Sequence, residues 1–476
     1  MAVLALSTSS VAATNAPIPP VRMPDSYETP RPGSALAPTA LDRWWLLFGD
    51  INLNALEDEA LVNASDARTV AARILEAWAT RSAQKAKTLP TGSISGNVSR
   101  EKVYELGGPG NDLNPTSGIT DAVSGNFNIS WELDLFGRLA VARRVANADA
   151  AEARFNVEGT RASLAAGVAD AYFQVLGLTI QAQDAHETLR IQNNLLNVAR
   201  RKSAAGAGPP DDIDRVGGES SHAEAQLADI ESQLAASRRL LLILVGRNLD
   251  ALKDPPLANT PPEPPSAPTV LPAELLSRRP DIREAEFRLR SELGVARLAH
   301  LAVFPTITLL PGLGLSSIAA PGVSYIPPST LISTQQTTTS GFWSLAAGIT
   351  TPTLDIPRLL QQARAEDARS RQAAIAYEKT VRTAFGEAEN ALTDLGAGVR
   401  ATALLVGGEA SSARAYDGAR RRYAQGLGDL TAMLSAEQSW RAIHSALSAE
   451  RIDTLRRAVR TYKALGGGWA HDGAEG

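Results

Sequence analysis

Two long stretches without proline constrain this chain more than any other feature. Of its 28 prolines, none lies between Pro115 and Pro209, none follows Pro357, and eight crowd into 255–272. A proline inside a helix removes a backbone donor and clashes with the preceding turn, at a cost of about 3 kcal/mol. The gaps therefore mark helical territory and the cluster marks a linker. Residues 138–202 make one helix of roughly 100 Å at 1.5 Å per residue, and 358–422 make its equal.

Apolar residues along both stretches keep one register. Leu164, Val168, Ala171, Val175, Leu178, Ala182, Ala185, Leu189, Leu196 and Ala199 follow alternating steps of four and three, broken by Gln192. Val381, Phe385, Ala388, Leu392, Leu395 and Val399 repeat the pattern. This is the seam of a left-handed coiled coil. Helices this long outrun the width of a globular domain, so they belong to an elongated helical assembly.

The chain also repeats itself. A shift of 220 residues carries Arg201-Lys202, Ala204, Gly206 and Gly208 onto Arg421-Arg422, Ala424, Gly426 and Gly428, and Arg138-Leu139 onto Arg358-Leu359. A shift of 215 carries Asp66 and Arg68 onto Asp281 and Arg283, and Pro90 onto Pro305, the difference falling in a loop between strands. This reads as a tandem duplication. Residues 1–40 form an N-terminal segment that reads as the remnant of an export signal. A first structural repeat follows at 41–254, a Pro-rich linker at 255–272, a second repeat at 273–469 and a tail at 470–476. Each repeat runs helix, strand, loop, strand, long helix, turn, helix. The expected helices are 63–88, 138–204 and 211–247, then 280–303, 358–424 and 429–465.

Ahead of each long helix the period changes to two. Phe127, Ile129, Trp131, Leu133 and Leu135 alternate with Asn126, Asn128, Ser130, Glu132 and Asp134, close to the 9–11 residues of a tilted transmembrane strand. Its partner, at 91–104, speaks clearly only at Ile94 and Val98. In the second repeat Ile307, Leu309, Leu313 and Leu315 alternate with Thr306, Thr308, Gly312 and Gly314, and Trp343, Leu345, Ala347 and Ile349 form the return strand. The two hairpins span about 91–135 and 306–355. Four strands cannot close a barrel, and an unpaired edge in lipid costs several kcal/mol per unsatisfied group. Several chains must share one barrel. A trimer supplies twelve strands, with the Asn/Ser/Glu/Asp face lining a water-filled bore.

Composition narrows the remaining classes. With 47 Lys+Arg against 51 Asp+Glu and 44% hydrophobic residues, the chain is neither a basic nucleic-acid binder nor disordered. It has no cysteine, which removes disulfides, thiolate chemistry and a lipid on an N-terminal Cys. The longest notable apolar run is only 240–245, so entry into a membrane is expected by strands and not by a helix. His186, His222, His300, His444 and His471 are scattered without metal-ligand spacing, and no phosphate loop or nucleophile elbow is present. Neither an enzyme nor a cofactor is expected.

Several short motifs add a resemblance. Trp44-Trp45 comes with Phe48, Asp50 and Leu53, and Ser130-Trp131-Glu132-Leu133-Asp134-Leu135-Phe136-Gly137-Arg138 leads into the first long helix. Arg279-Pro280-Asp281-Ile282-Arg283 precedes Ala285-Glu286 and Phe304-Pro305. Arg422-Tyr423 with Gly426 and the terminal Tyr462-Lys463-Ala464-Leu465-Gly466-Gly467-Gly468-Trp469 complete the set. In this order and spacing they resemble the TolC-like outer membrane efflux proteins, closest to the NodT/OprM branch, over roughly residues 40–470. The resemblance implies a mainly α fold with a β-barrel portion: a homotrimer with a shared twelve-stranded outer-membrane barrel and a periplasmic α-helical barrel. It also implies a passive exit duct for small toxic compounds, working with a periplasmic adaptor (membrane fusion protein) and an inner-membrane pump.

Three departures from the family pattern accompany it. The lipidated cysteine carried by many members is absent. The glycine-rich turn after the last strand is replaced by Thr353-Leu354-Asp355-Ile356-Pro357-Arg358. Ala432 and Ser435 stand where some relatives place aperture aspartates.

Candidate site residues follow from these readings. Gly206, Gly208, Gly426 and Gly428 sit in the turns furthest from the strands, where glycine supplies the positive-φ stop and an Asp can cap the next helix. The resemblance adds adaptor docking at these tips and an iris in which Asp417, Arg421 and Asp429 are the charged candidates, with Arg420 and Arg422 beside them. Glu132 and Asp134 are expected to face the bore and bias passage electrostatically. Two other functions compete: a type I protein-secretion exit duct of the same architecture, and a soluble coiled-coil scaffold.

Overall fold

The computed structural model describes residues 22–28, 41–103, 118–206, 209–247, 257–258, 260–266, 268, 270–326 and 330–469. The candidate export-signal remnant at the N-terminus, the tail and Gly208 lie outside them. Among the described residues two antiparallel hairpins and eight α-helices follow in two matching series. In the first half come α1 (Ile51–Asn63), α2 (Ser65–Ala86), β1 (Thr91–Val103), β2 (Gly118–Leu133), α3 (Arg138–Ala204) and α4 (Asp211–Val245). In the second half come the short α5 (Leu275–Arg278), α6 (Pro280–Leu301), β3 (Thr306–Ile326), β4 (Thr330–Thr350), α7 (Ile356–Ala424) and α8 (Leu430–Ala464). Corresponding helices agree in length: 22 residues in both α2 and α6, 67 and 69 in α3 and α7, 35 in both α4 and α8.

Two differences from the sequence expectation stand out. The first helical region is longer and broken: α1 and α2 meet at Ala64, whose ψ of 140° leaves the helical region, and Asp50 caps α1 by accepting the N–H groups of Asn52 and Leu53. Also, one window of α3 is apolar enough to cross a membrane on length and composition, but 67% of it is buried inside the protein. Its apolarity serves packing.

Two compact units emerge, each drawing on both halves. The helical unit comprises Met1–Glu76, Ala151–Phe287 and Ala374–Gly476; the sheet unit comprises Ala77–Ala150 and Arg288–Ala373. The core of the helical unit explains why the motifs at opposite ends of the chain recur together. Trp44 stacks on Tyr462 with ring centroids 5.8 Å apart, and Phe48 lies 5.1 Å from Phe173. Tyr172 donates to Asp50 at 2.6 Å, and the Trp469 indole donates to the carbonyl of Arg278 at 2.8 Å. Burial raises the Tyr172 hydroxyl pKa, and the adjacent Asp50 carboxylate adds to the rise. Arg279, itself buried, donates to Asp281, to Glu387 at 2.6 Å, and to the carbonyls of Ala384 and Ala464. One guanidinium thus ties the start of α6 to α7 and to the end of α8, using the planar fork that suits several acceptors at once.

The long seams are buried where α8 lies against them. Leu164, Val168, Ala171, Val175, Leu178 and Ala182 are all buried, and so are Val381, Ala388, Leu392 and Leu395. Val399 continues the sequence pattern yet is exposed; the buried position is Gly398, where a Cβ would stand 2.8 Å from the Thr454 hydroxyl. Close approach of α8 shifts the packed face by one residue there. Gln192, the one break in the α3 pattern, is buried, whereas its seam neighbors Leu189 and Leu196 are half-buried.

In the sheet unit the strands form one antiparallel sheet in the order β1-β2-β3-β4. The register places Ile94 opposite Phe127, Phe127 opposite Leu313, and Leu313 opposite Trp343, one apolar row across all four strands. The β2–β3 ladder skips Ile129 and Ser130 beside Pro311, which has no N–H to offer. β1 and β4 have no strand partner on their outer sides among the described residues.

Candidate functional site

The alternation seen in the sequence sorts the sheet into two chemically distinct faces. One carries Val98, Val123, Ile94, Phe127, Leu313, Trp343, Trp131, Leu309, Leu345, Ile307 and Ile349, brought into common rows by the register. Within it Ile94, Val98, Leu315, Trp343, Leu345 and Ile349 are each more than 60% exposed. No soluble sheet leaves so many large apolar side chains uncovered. From the Leu133 row to the Val123 row is ten residues, about 34 Å along a strand and about 26 Å of height at the tilt usual in barrels, which matches the apolar band of an outer-membrane barrel. The opposite face presents Ser93, Ser95, Asn97, Ser124, Asn126, Asn128, Ser130, Thr308, Gly312, Gly314, Ser340 and Ser344. That face is mostly polar and almost uncharged, with Leu310, Ile318 and Phe342 as exposed apolar exceptions.

Glu132 lies on the polar face, but Arg138 forms a two-pronged ion pair with it, Nε to Oε1 at 2.9 Å. Its charge is therefore matched at the base of the sheet. Asp134 lies beyond the end of β2 and accepts the N–H groups of Leu139 and Ala140 at 2.9 and 2.8 Å, capping α3. The alternation that assigned it to the strand ends one residue earlier, because the chain turns at Gly137, whose φ is 76°. In the second half the same junction is built without glycine. Pro357 occupies the first turn of α7, where a missing N–H costs nothing, and Asp355 accepts from Arg358 at 3.2 Å.

In the helix–helix turns of the helical unit the backbone behaves as the glycines require. Gly206 and Gly426 hold φ of 69° and 74°. Gly428 packs close to Arg422, and Asp429 caps α8 by accepting from Ala432 at 2.6 Å. The first half differs: α4 begins after Pro210 with no side-chain cap, and Asp212 instead pairs with Arg215 at 3.0 Å. Asp417 pairs with Arg420 at 3.3 Å within α7, so this ion pair braces one helix and not two; Arg421 is exposed.

Contacts that sequence reasoning missed join the two halves. Lys202 donates to the Tyr423 hydroxyl at 2.9 Å with its ammonium 4.2 Å from the ring center, and Arg215 donates to Thr431 at 2.9 Å. Val216, Leu430, Met433 and Leu434 form an apolar cluster with Leu195, Leu196, Tyr416 and Tyr423. Further from the tips, Arg456 pairs in two-pronged fashion with Asp170 at 2.8 and 2.9 Å. The hydrogen-bonded Asp170 holds that guanidinium above its usual pKa. The shift of 220 residues was the only sequence signal, since it sets Lys202 and Arg422 at equivalent ends of their helices. A groove of about 570 Å³ beside Arg279 is lined by Asp281, Glu387, Arg457, Arg460 and Lys463, charges of both signs.

These features coincide with known proteins along most of the chain. The model of the outer membrane efflux protein family matches residues 56–247 and 271–467, one segment in each half. The chain belongs to this family. It is therefore an outer-membrane channel of a bacterial efflux system and not an enzyme, which excludes a soluble coiled-coil scaffold. It is 30% identical to the toluene efflux pump outer membrane protein TtgC of Pseudomonas putida, over 94% of this chain and 92% of that one. It is 28% identical to the pyoverdine export outer membrane protein OpmQ of Pseudomonas aeruginosa, over 90% and 88%. The solved outer-membrane channel OprN superimposes with a TM-score of 0.80 at 25% identity, covering 94% of this chain and 98% of that one.

Proposed function

We propose that three copies of this protein close one twelve-stranded barrel and act as the passive exit duct of a tripartite pump for small toxic compounds. A periplasmic adaptor docks at the tips marked by Gly206, Gly208, Gly426 and Gly428, and an inner-membrane pump supplies the energy. The observation that carries the reading is an open sheet with one bare apolar face and, among the described residues, two unpaired edges, which is stable in lipid only if other copies complete it. Three sheets of four strands give an even number within the barrel range. The near-neutral polar face then lines the bore, with Glu132 masked by Arg138, so the barrel wall imposes little selection by charge. Charge control is left to the tips, with Asp417, Arg421 and Asp429 as the candidate residues. Relatives named for toluene efflux and pyoverdine export support small-molecule cargo.

The test is a mass determination of the detergent-extracted protein beside a susceptibility profile of a deletion strain. A trimer, with sensitivity to toxic small molecules on deletion, is expected. A monomeric species refutes the shared barrel. Loss of one secreted polypeptide without any change in compound sensitivity refutes the cargo class and favors protein secretion.

A further inference from the structure

His444 occupies a position that no reading of the duct requires. It sits on α8 between two acids from two other helices: Nε2 lies 3.6 Å from Asp184 of α3, and Nδ1 lies 3.4 Å from Glu409 of α7. The Nδ1 atom is sealed from solvent and makes no hydrogen bond in normal geometry among the described residues. A neutral imidazole carries one N–H, so whichever tautomer forms, one of the two carboxylates faces a ring lone pair. Only the imidazolium offers a donor to both. The surroundings hold the ring in place: Trp440 lies 5.5 Å from it and donates to Glu409 at 3.0 Å, and Tyr416 stacks on Trp440.

Two arginines lie near the ring without donating to either carboxylate among the described residues. Arg441 is hydrogen-bonded to Glu437 at 2.8 and 2.9 Å and to Thr188 and acts on Asp184 only through space, and Arg451 acts on Glu409 only through space. Glu187, close by on α3, is paired with Arg190. Burial raises the Asp184 carboxyl pKa while His444 pulls it down, and the Trp440 hydrogen bond holds Glu409 low. With the ring neutral, acidic charge is left in excess where three helices meet.

We propose that His444 is a proton-dependent clamp joining α3 of the first half to α7 and α8 of the second, tight when the imidazole is charged and loosened when it is neutral. The clamp lies wholly within one chain, so it stands apart from trimer closure and from cargo. If the duct reading holds, it makes the coupling between the two helical hairpins stronger in an acidified periplasm.

The absence of native cysteine makes the test direct. Gln183→Cys and Ser445→Cys, both exposed positions on α3 and α8, carry spin labels in the full-length protein, diluted with unlabelled chains. Distances are read at about pH 5.5 and about pH 8, on either side of the imidazole range. The expected result is one narrow distance at the acidic pH and a broadened, longer distribution at the alkaline pH. His444→Gln is expected to give the broad distribution at both values, and Asp184→Asn to shrink the response. His300→Gln, which alters the separate pair with Asp367, is expected to leave the response intact. Identical wild-type distances at the two pH values, or a pH response that survives in His444→Gln, overturn the proposal.

Discussion

Adjacent residues on β4 allow the lipid-facing assignment to be tested with a single pair of substitutions. Leu345 lies in the middle row of the apolar band, paired with Pro311, and is 68% exposed in the single chain. Its neighbor Ser344 lies on the polar face opposite Gly312 and is exposed. If the apolar face meets lipid, Leu345→Arg forfeits most of the transfer energy of a leucine, about 1–2 kcal/mol. It also places a guanidinium near the midplane, which costs about 2–4 kcal/mol in a transmembrane barrel. The total of about 3–6 kcal/mol per chain is comparable to the whole stability of many domains. Ser344→Arg, facing the bore, is expected to cost under about 0.5 kcal/mol. The assay is the amount of heat-resistant oligomer in the outer membrane on unboiled gels, with the urea midpoint of the purified protein. Leu345→Arg should abolish the assembled form and Ser344→Arg should leave it near wild type. Equal tolerance of both substitutions refutes the argument, because it means that water reaches both faces.

Three further substitutions probe the helical unit. Glu57 of α1 is fully buried, neither carboxylate oxygen has a hydrogen bond of normal geometry among the described residues, and burial, reinforced by Asp58 and only partly offset by the backbone of Ala169, raises its pKa well above the usual carboxylate value. A raised folded-state value means that the stability it allows is fully present below the unfolded-state value, near pH 4.5, and is lost as pH rises through the folded-state value. Glu57→Met should therefore leave the helical urea midpoint unchanged at acidic pH and gain about 1–3 kcal/mol at alkaline pH; a gain that is the same at every pH contradicts the assignment. Gly246→Ala and Gly217→Ala form a contrast. Gly246 ends α4 at φ 81° with a would-be Cβ 2.5 Å from the carbonyl oxygen of Asn63, so alanine there should cost more than about 2 kcal/mol. Gly217 lies inside α4 with open space around it, so alanine should stabilize by about 0.5–1 kcal/mol. Thermal melts followed by circular dichroism at 222 nm should move in opposite directions.

Much of the architecture was legible because long elements average over many weak signals. The proline gaps located α3 and α7, and the spaced glycines and basic pairs located the turns. Short or strongly context-dependent elements were harder to read. α1 buries only Leu53, Leu56, Glu57 and Ala60, too few positions to announce a helix, and β1 alternates Ser, Gly and Asn with only two clear apolar residues. Among the site residues, Gly206, Gly426 and Asp429 take the backbone roles their types suggest. Asp134 was misread because alternation does not reveal where a strand stops and a cap begins. The clamp at His444 was invisible for a different reason: Asp184 and Glu409 are far from it in sequence, and no periodic pattern connects an isolated histidine to acids on two other helices.

Backbone preference and polarity period are local properties, so the amino-acid order alone determined the helices, the strands, the duplication and the unsuitability of one chain's strands to seal a membrane. Partnerships depend on which surfaces meet. Only the tertiary structure decided that Arg138 would mask Glu132, that Arg279 would bind three helices, that Gly398 and not Val399 would take the buried place, and that His444 would stand between two carboxylates. Each of those outcomes is set by distances of a few ångströms, between residues from six to hundreds of positions apart, and side-chain electrostatics and packing act only at that range.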